Sequence, residues 1–399
     1  MEIDYEQRNK DLKELIAMPL SDKIQNTMGK LMEFYDYTEG NCYISCSGGA
    51  DSIVLYDLTK RFIEDLFPHY KFKVVFDDTG LEEPTVRATA LAIPDIQVVK
   101  PKKSFWQVLT EIGYPVVSKE VSECVHNARL HLSGGGMKYI LERYSDLANM
   151  PQRVQKILGI LPNKEGIPNR SRFNCSKYKV LLNAPFRISN RCCDIMKKQP
   201  MKKLKEKPII ATMTEESANR KTAWLKTGCN SFTGKIASRP MSFWTKQDVL
   251  QYIKKYNVKI ADCYGQVIPV DKDNNLTFEE IKDHYIFSGV QRSGCIYCMF
   301  GCHLDTQKGG INRFTLLKQT QPKLFDYCMR GGRFDAEGLW IPDKGLGMAF
   351  VIEWLNRNLT MGKHKFIEGV DLSDYKETVD KAFEELARIE NTRKKWLIE

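Results

Sequence analysis

The chain has 399 residues, 42% hydrophobic and 28% charged, with twelve cysteines and a formal net charge of +10. That is the balance of a soluble globular protein long enough for two or three structural units. No apolar run reaches bilayer length and the opening MEIDYEQRNKDLKELIAM is acidic and charged, so neither a membrane span nor a signal peptide is expected and the expected location is cytoplasmic. In a reducing compartment, twelve cysteines point to metal or redox use and to plain buried thiols rather than to a disulfide framework.

In chain order, Leu12, Leu15 and Ile16, then Ile24, Met28, Leu31, Met32 and Tyr35, recur at helical spacing and predict one or two helices over residues 1–40. Asn41 to Leu58 then runs from a β-prone stretch (Cys42 to Cys46) through Ser47-Gly48-Gly49-Ala50-Asp51-Ser52 into an apolar helical stretch (Ile53, Val54, Leu55, Leu58). This order predicts strand, glycine loop, helix. Adjacent glycines admit a ligand close to the backbone, and a helix start offers N–H groups and a positive dipole end, so the loop suits phosphate or pyrophosphate. A second strand over Tyr70 to Phe76 leads into Asp77-Asp78-Thr79-Gly80-Leu81-Glu82-Glu83-Pro84-Thr85, at the strand end where ligands collect in open parallel sheets. A third strand, Ile96 to Lys100, and a helix, Ser104 to Ile112, continue the alternation expected of a doubly wound α/β sheet.

From 118 to 170 the pattern changes: Gly134-Gly135-Gly136 interrupts helical stretches and LERYSDLANMPQRVQKILGILP is basic and amphipathic. A lid or recognition segment and an ordinary packed helical insert both explain it. Pro208 to Thr212 predicts another buried strand. Thr245 is a candidate N-cap, with Asp248 at capping-box distance. Cys295-Ile296-Tyr297-Cys298 places two thiols where a single turn brings them to one metal, cluster or redox pair. Beyond residue 304, lysines and arginines interleave with Phe314, Phe325, Tyr327 and Phe334, a mixture that suits a polyanion partner or a solvated helical cap.

Ser47 to Ser52 is similar to the PP-loop of the N-type ATP pyrophosphatases, and its longer context resembles the 3′-phosphoadenylylsulfate (PAPS) reductase-like branch of the adenine nucleotide alpha hydrolase-like superfamily. Asp78-Thr79-Gly80, Glu216-Ser217-Ala218-Asn219-Arg220 and Pro240 to Val249 (PMSFWTKQDV) resemble further elements of that branch. Cys192-Cys193, followed by Lys197-Lys198, and the later Cys295 and Cys298 resemble its split cysteine set. The resemblance implies a doubly wound, mostly parallel α/β sheet over 41–300, with a helical insertion at 118–170, a helical segment at 1–40 and a helical C-terminal region at 301–399. It implies ATP as nucleotide with Mg²⁺, Ser47, Gly48, Gly49, Asp51 and Ser52 around pyrophosphate, Asp78 and Thr79 beside the nucleotide, and Ser217 and Arg220 on phosphate or sulfate oxygens. Asp51 and Arg220 are the implied catalytic residues. Cys192, Cys193, Cys295 and Cys298 are implied to hold a 4Fe-4S cluster, with structural zinc and unrelated buried thiols as the other readings of the same residues.

Two departures shape the functional expectation. Many relatives carry Lys at the position of Ala50, and adenylyl-sulfate reductases use a cysteine near the chain end, whereas the last cysteine here is Cys328. The expected activity is therefore that of an ATP pyrophosphatase and sulfurtransferase that adenylylates an acceptor, expected to be nucleic acid, for sulfur insertion. A cysteine desulfurase or another sulfur donor is the expected partner. Reduction of PAPS or adenylyl sulfate to sulfite, and a non-catalytic nucleotide- or nucleic-acid-binding module, are the alternatives.

Overall fold

The structure, a computed structural model, describes residues 4–133, 138, 142–143, 149–169, 171, 174–270, 284–307, 310–362 and 364–392. The Gly134-Gly135-Gly136 interruption lies outside the described residues. The chain forms two compact units, each built from two chain segments: residues 1–101 with 199–295, and residues 102–198 with 296–399.

The first unit carries helices α1 (Tyr5–Ala17) and α2 (Leu20–Tyr37) before strand β1 (Cys42–Cys46). Helix α3 (Ala50–Thr59), strand β2 (Lys73–Asp77), helix α4 (Pro84–Leu91) and strand β3 (Gln97–Val99) follow. After the detour through the other unit come β4 (Lys207–Ile210), α5 (Ala218–Thr227), β5 (Asn230–Ser231), β6 (Ala237–Ser238) and α6 (Lys246–Tyr256). The six strands lie in the order β3-β2-β1-β4-β6-β5, parallel except for the β5–β6 pair. The mostly parallel α/β sheet expected from the strand and helix alternation is present. Central strand β1 is apolar at nearly every position, as a strand covered on both faces must be, and Ile44 is in register with Val74 on one side and Ile209 on the other.

Helix α3 buries Val54, Leu55 and Leu58 against this sheet. Full burial of such a side chain contributes roughly 1.5–3 kcal/mol, so α3 is held by packing rather than by propensity. Helix α6 begins with the capping box read from sequence: Thr245 Oγ1 accepts the Asp248 amide at 3.3 Å, and the Asp248 carboxylate accepts the Thr245 amide at 2.6 Å. Asp248 also pairs with buried Lys23 at 2.6 Å, and Trp244 donates its indole N–H to Thr27 Oγ1 at 2.8 Å. These contacts fix the start of α6 against α2.

From β1 the chain proceeds to β2 and β3 on one side, and β4 returns on the other side of β1. The carboxyl ends of β1 and β4 therefore flank the switch point of the sheet, where α/β folds open a crevice.

The second unit is mainly helical. Its longer helices are Lys119–Leu132, Met348–Asn358 and Lys376–Ile389, and its short strand Val116–Val117 pairs in parallel with Met299–Phe300. The Arg129 guanidinium is buried and donates to the carbonyls of Leu181, Leu182, Ala184 and Phe186, which ties the Lys119–Leu132 helix to the 181–186 turn. Among the described residues, no helix is long and apolar enough to cross a membrane.

Candidate functional site

A cavity of about 490 Å³ opens at the switch point between β1 and β4, within the first unit. That is the size of a small-molecule pocket. Its walls come from Ser45 and Ser47 to Ser52 on one side, Ile210 to Met213 on the other, and Glu215, Glu216, Arg220, Lys246, Tyr264 and Gln291 to Ser293 around the mouth.

The loop backbone explains its glycines. Gly48 has φ +75°, and a Cβ there would lie 2.3 Å from the Val86 carbonyl oxygen. Gly49, in extended conformation, is the N-cap of α3, and no side chain caps that helix start. The Ser52 hydroxyl accepts the Ser47 amide at 3.1 Å, donates to the Gly49 carbonyl at 2.9 Å and lies 3.2 Å from Ser47 Oγ, so it braces the loop from inside. The Ala50 amide donates to the Tyr264 hydroxyl at 3.3 Å, and that hydroxyl is 2.5 Å from Ser293 Oγ.

Three cations border the cavity. Lys246, at the first position of α6, places Nζ 3.2 Å from the Asp51 carboxylate. Arg220 on α5 pairs with Glu216. Arg292 makes no ion pair among the described residues. Burial disfavours the charged Arg220 guanidinium, the Asp51 carboxylate opposes that, and Arg292 reinforces it. The guanidinium stays protonated regardless and offers its planar donor fork to an anionic ligand.

The other expected residues sit differently. Ser217 does not line the cavity; its hydroxyl caps α5 by accepting the Arg220 amide at 3.3 Å. Asp78 and Thr79 are buried at the end of β2 and also do not line the cavity. Asp78 receives Arg87 in a bidentate pair at 2.8 and 2.7 Å, and Thr79 donates to Glu82 at 2.6 Å. Arg87 holds the Asp78 carboxyl below the usual carboxylate range.

Lys246, Arg292, Tyr264 and Ser293 escaped the sequence reading. Lys246 lies inside a segment read for its cap, and Arg292-Ser293 precede a segment read for its cysteines. The signal that could have found Lys246 is Ala50: a phosphate loop without its own cation needs one from elsewhere.

Cys192 is buried, and Cys193, Cys295 and Cys298 are half-buried. A hydrogen bond from Cys192 holds the Cys193 thiol below the ordinary thiol range, with Lys119 and Lys197 adding to the effect. Among the described residues, which include all four, no group of three or more His, Cys, Asp or Glu is placed to hold a metal ion. Of the thiols left over, burial pushes Cys46, Cys229 and Cys328 up, Cys263 to about 11 and Cys302 to about 12, all away from nucleophilic thiolate character. Cys175 is shifted down by its hydrogen bond with Cys124, but it is only 4% exposed.

A family model described as phosphoadenosine phosphosulfate reductase domain matches residues 164–308. Comparison with curated proteins gives no match. Among solved structures, a phosphoadenylyl-sulfate (PAPS) reductase from Candida auris, in phosphate complex, is similar at 12% identity over 66% of this chain and 91% of that one, with a TM-score of 0.29.

Proposed function

From a chain whose residues 164–308 match a phosphoadenosine phosphosulfate reductase domain model, we propose an ATP pyrophosphatase of the PP-loop kind that adenylylates an acceptor for sulfur insertion. At the level of the family the chemistry is nucleotide-dependent sulfur chemistry. The finer reading is carried by one observation: the intact Ser47 to Ser52 loop shares a cavity with Arg220, Lys246 and Arg292.

In this reading the triphosphate lies across the mouth of the cavity. Loop amides and the start of α3 face the β- and γ-phosphates, and Lys246 supplies the cation that Ala50 does not. An acceptor oxygen attacks the α-phosphorus, the bond to the bridging oxygen breaks, and pyrophosphate leaves with the electron pair into the loop. Arg220 and Arg292 face the charge that grows on the phosphoryl oxygens; donors aimed in this way are typically worth a factor of about 10²–10³ each. The sulfur donor then displaces AMP from the activated acceptor. Asp51 is the carboxylate that would hold Mg²⁺ together with substrate phosphates, and the ion would supply neutralisation of pyrophosphate charge. Cys192, Cys193, Cys295 and Cys298 are the cysteines that the cluster reading names, and no step is assigned to a cluster.

The test is product analysis of anaerobically purified protein. Incubation with ATP and Mg²⁺ is expected to give AMP and pyrophosphate. Sulfite from PAPS or adenylyl sulfate plus a reductant, with no pyrophosphate from ATP, would overturn the proposal in favour of a reductase.

A further inference from the structure

The formal charge is concentrated in one part of the chain. Residues 102–198 hold 17 Lys and Arg against 7 Asp and Glu, a net +10 that equals the charge of the whole chain, so the remaining residues balance at 43 of each sign. This segment belongs to the second unit and includes the whole 118–170 insertion, which the catalytic proposal leaves unused.

Local pairing accounts for only part of it. Lys103 pairs with Glu111, Arg153 with Glu123, Lys156 with Glu120 and Lys198 with Asp194, which engages four of the seven carboxylates. Lys119, Lys164, Lys177, Lys179 and Arg191 are exposed and make no ion pair among the described residues. Several of these gather around the Lys119–Leu132 helix. Lys119 opens the helix, and Lys177 and Lys179 stand on the Ser176–Asn183 turn that packs against it. Buried Arg129 anchors that helix, so the cations stand on a fixed support.

We propose that this basic face of the second unit docks the phosphodiester backbone of a nucleic acid, which on the reading above is the acceptor. Exposed cations without carboxylate partners are the electrostatic footprint that a run of phosphates calls for. A bilayer suits the face less well. Val121, Cys124, Val125, Ala128 and Leu132 of the helix are buried within the protein, which leaves Leu130 as its one exposed aliphatic side chain and no apolar face to insert.

The experiment is fluorescence anisotropy of the full chain with labelled single-stranded RNA, single-stranded DNA and duplex DNA between 50 and 200 mM salt. Binding is expected to weaken steeply with salt, by about 0.7 log units per decade for each phosphate contacted on a single strand and about 0.9 on a duplex. Replacing Lys164, Lys177, Lys179 and Arg191 by Gln is expected to cost at least tenfold in affinity and to flatten that slope. Replacing the exposed Lys226, Lys259, Lys323 and Lys376 by Gln removes the same charge from the balanced segments and is expected to change affinity less than threefold. Equal losses in the two variants, or binding to phosphatidylserine vesicles without binding to nucleic acid, would overturn the proposal. Pyrophosphate release without nucleic-acid binding would overturn the docking face and leave the pyrophosphatase standing. Nucleic-acid binding without pyrophosphate release would do the reverse. Whichever nucleic acid binds more tightly identifies the acceptor class.

Discussion

Two loops leave the carboxyl ends of adjacent parallel strands, and both contain a glycine at positive φ and an aspartate, yet they are used differently. After β1, Asp51 meets a cation from a distant helix and the loop lines a cavity. After β2, Asp78 is buried in a pair with Arg87 nine residues on, and Thr79 is taken up by Glu82. Position at a strand end makes a polar residue available to a ligand only when nearby sequence does not satisfy it first. The β2 loop is bound to its own helix α4, which in turn presents the Val86 carbonyl against which Gly48 packs. One loop lines the cavity and its neighbour supports it.

The sharpest way to break this contrast is Arg220→Ala, expected to lower ATP turnover by about 10²-fold or more while the unfolding transition stays cooperative. Next come the two glycines. Gly48→Ala forces a side chain into positive φ and into the Val86 carbonyl, and is expected to cost roughly 2–4 kcal/mol in urea denaturation. Gly80→Ala meets nothing within 4 Å despite its φ of +71°, and is expected to cost only about 1 kcal/mol. Equal costs would mean that the loops are equally confined.

Lys246→Met is expected to reduce turnover about ten- to thirtyfold, and Lys246→Arg to recover most of it, because the charge acts at the cavity while the cap uses only neighbouring Thr245 and Asp248. A drop in thermal stability with unchanged turnover would show that Lys246 serves the helix instead. The smallest effect concerns pH. Arg87 holds the Asp78 carboxyl below its unfolded value of about 3.9, so the pair stabilises the fold fully above that pH and loses its contribution as pH falls through the lower folded value. Arg87 is 43% exposed, so Arg87→Ala is expected to cost about 1–2 kcal/mol at pH 7, and that difference should shrink below pH 4.

What could be read in the sequence was local. The Ser47 to Ser52 loop announced itself because strand, paired glycines and apolar helix are adjacent, and the α6 capping box because its two members are three residues apart. Ser217 shows the limit: a hydroxyl beside an arginine can serve a phosphate or cap a helix, and here it caps α5. Tyr70 was read into the second strand, but its hydroxyl reaches Asp36 at 3.1 Å and its ring packs on Tyr35, so β2 begins only at Lys73. Lys246 and Arg292 could not be read, since only the folded chain brings residues so far along it to the loop at residue 50. Nor could the interleaving of the two units, because motif extents suggest boundaries at 40 and 300 whereas the chain crosses between units near 101, 198 and 295.

That interleaving bears on biosynthesis. Strand β1 emerges early from the ribosome, but its partner β4 is made only after the whole 102–198 segment. Until then the apolar centre of the sheet has one open edge, the kind of surface that invites wrong pairing. The Ser47 to Ser52 loop is thus encoded in the first seventh of the chain, while the wall facing it and all three of the cavity's cations come from the second half. A nascent chain stalled before residue 207 would carry the recognisable motif and only one wall of the cavity.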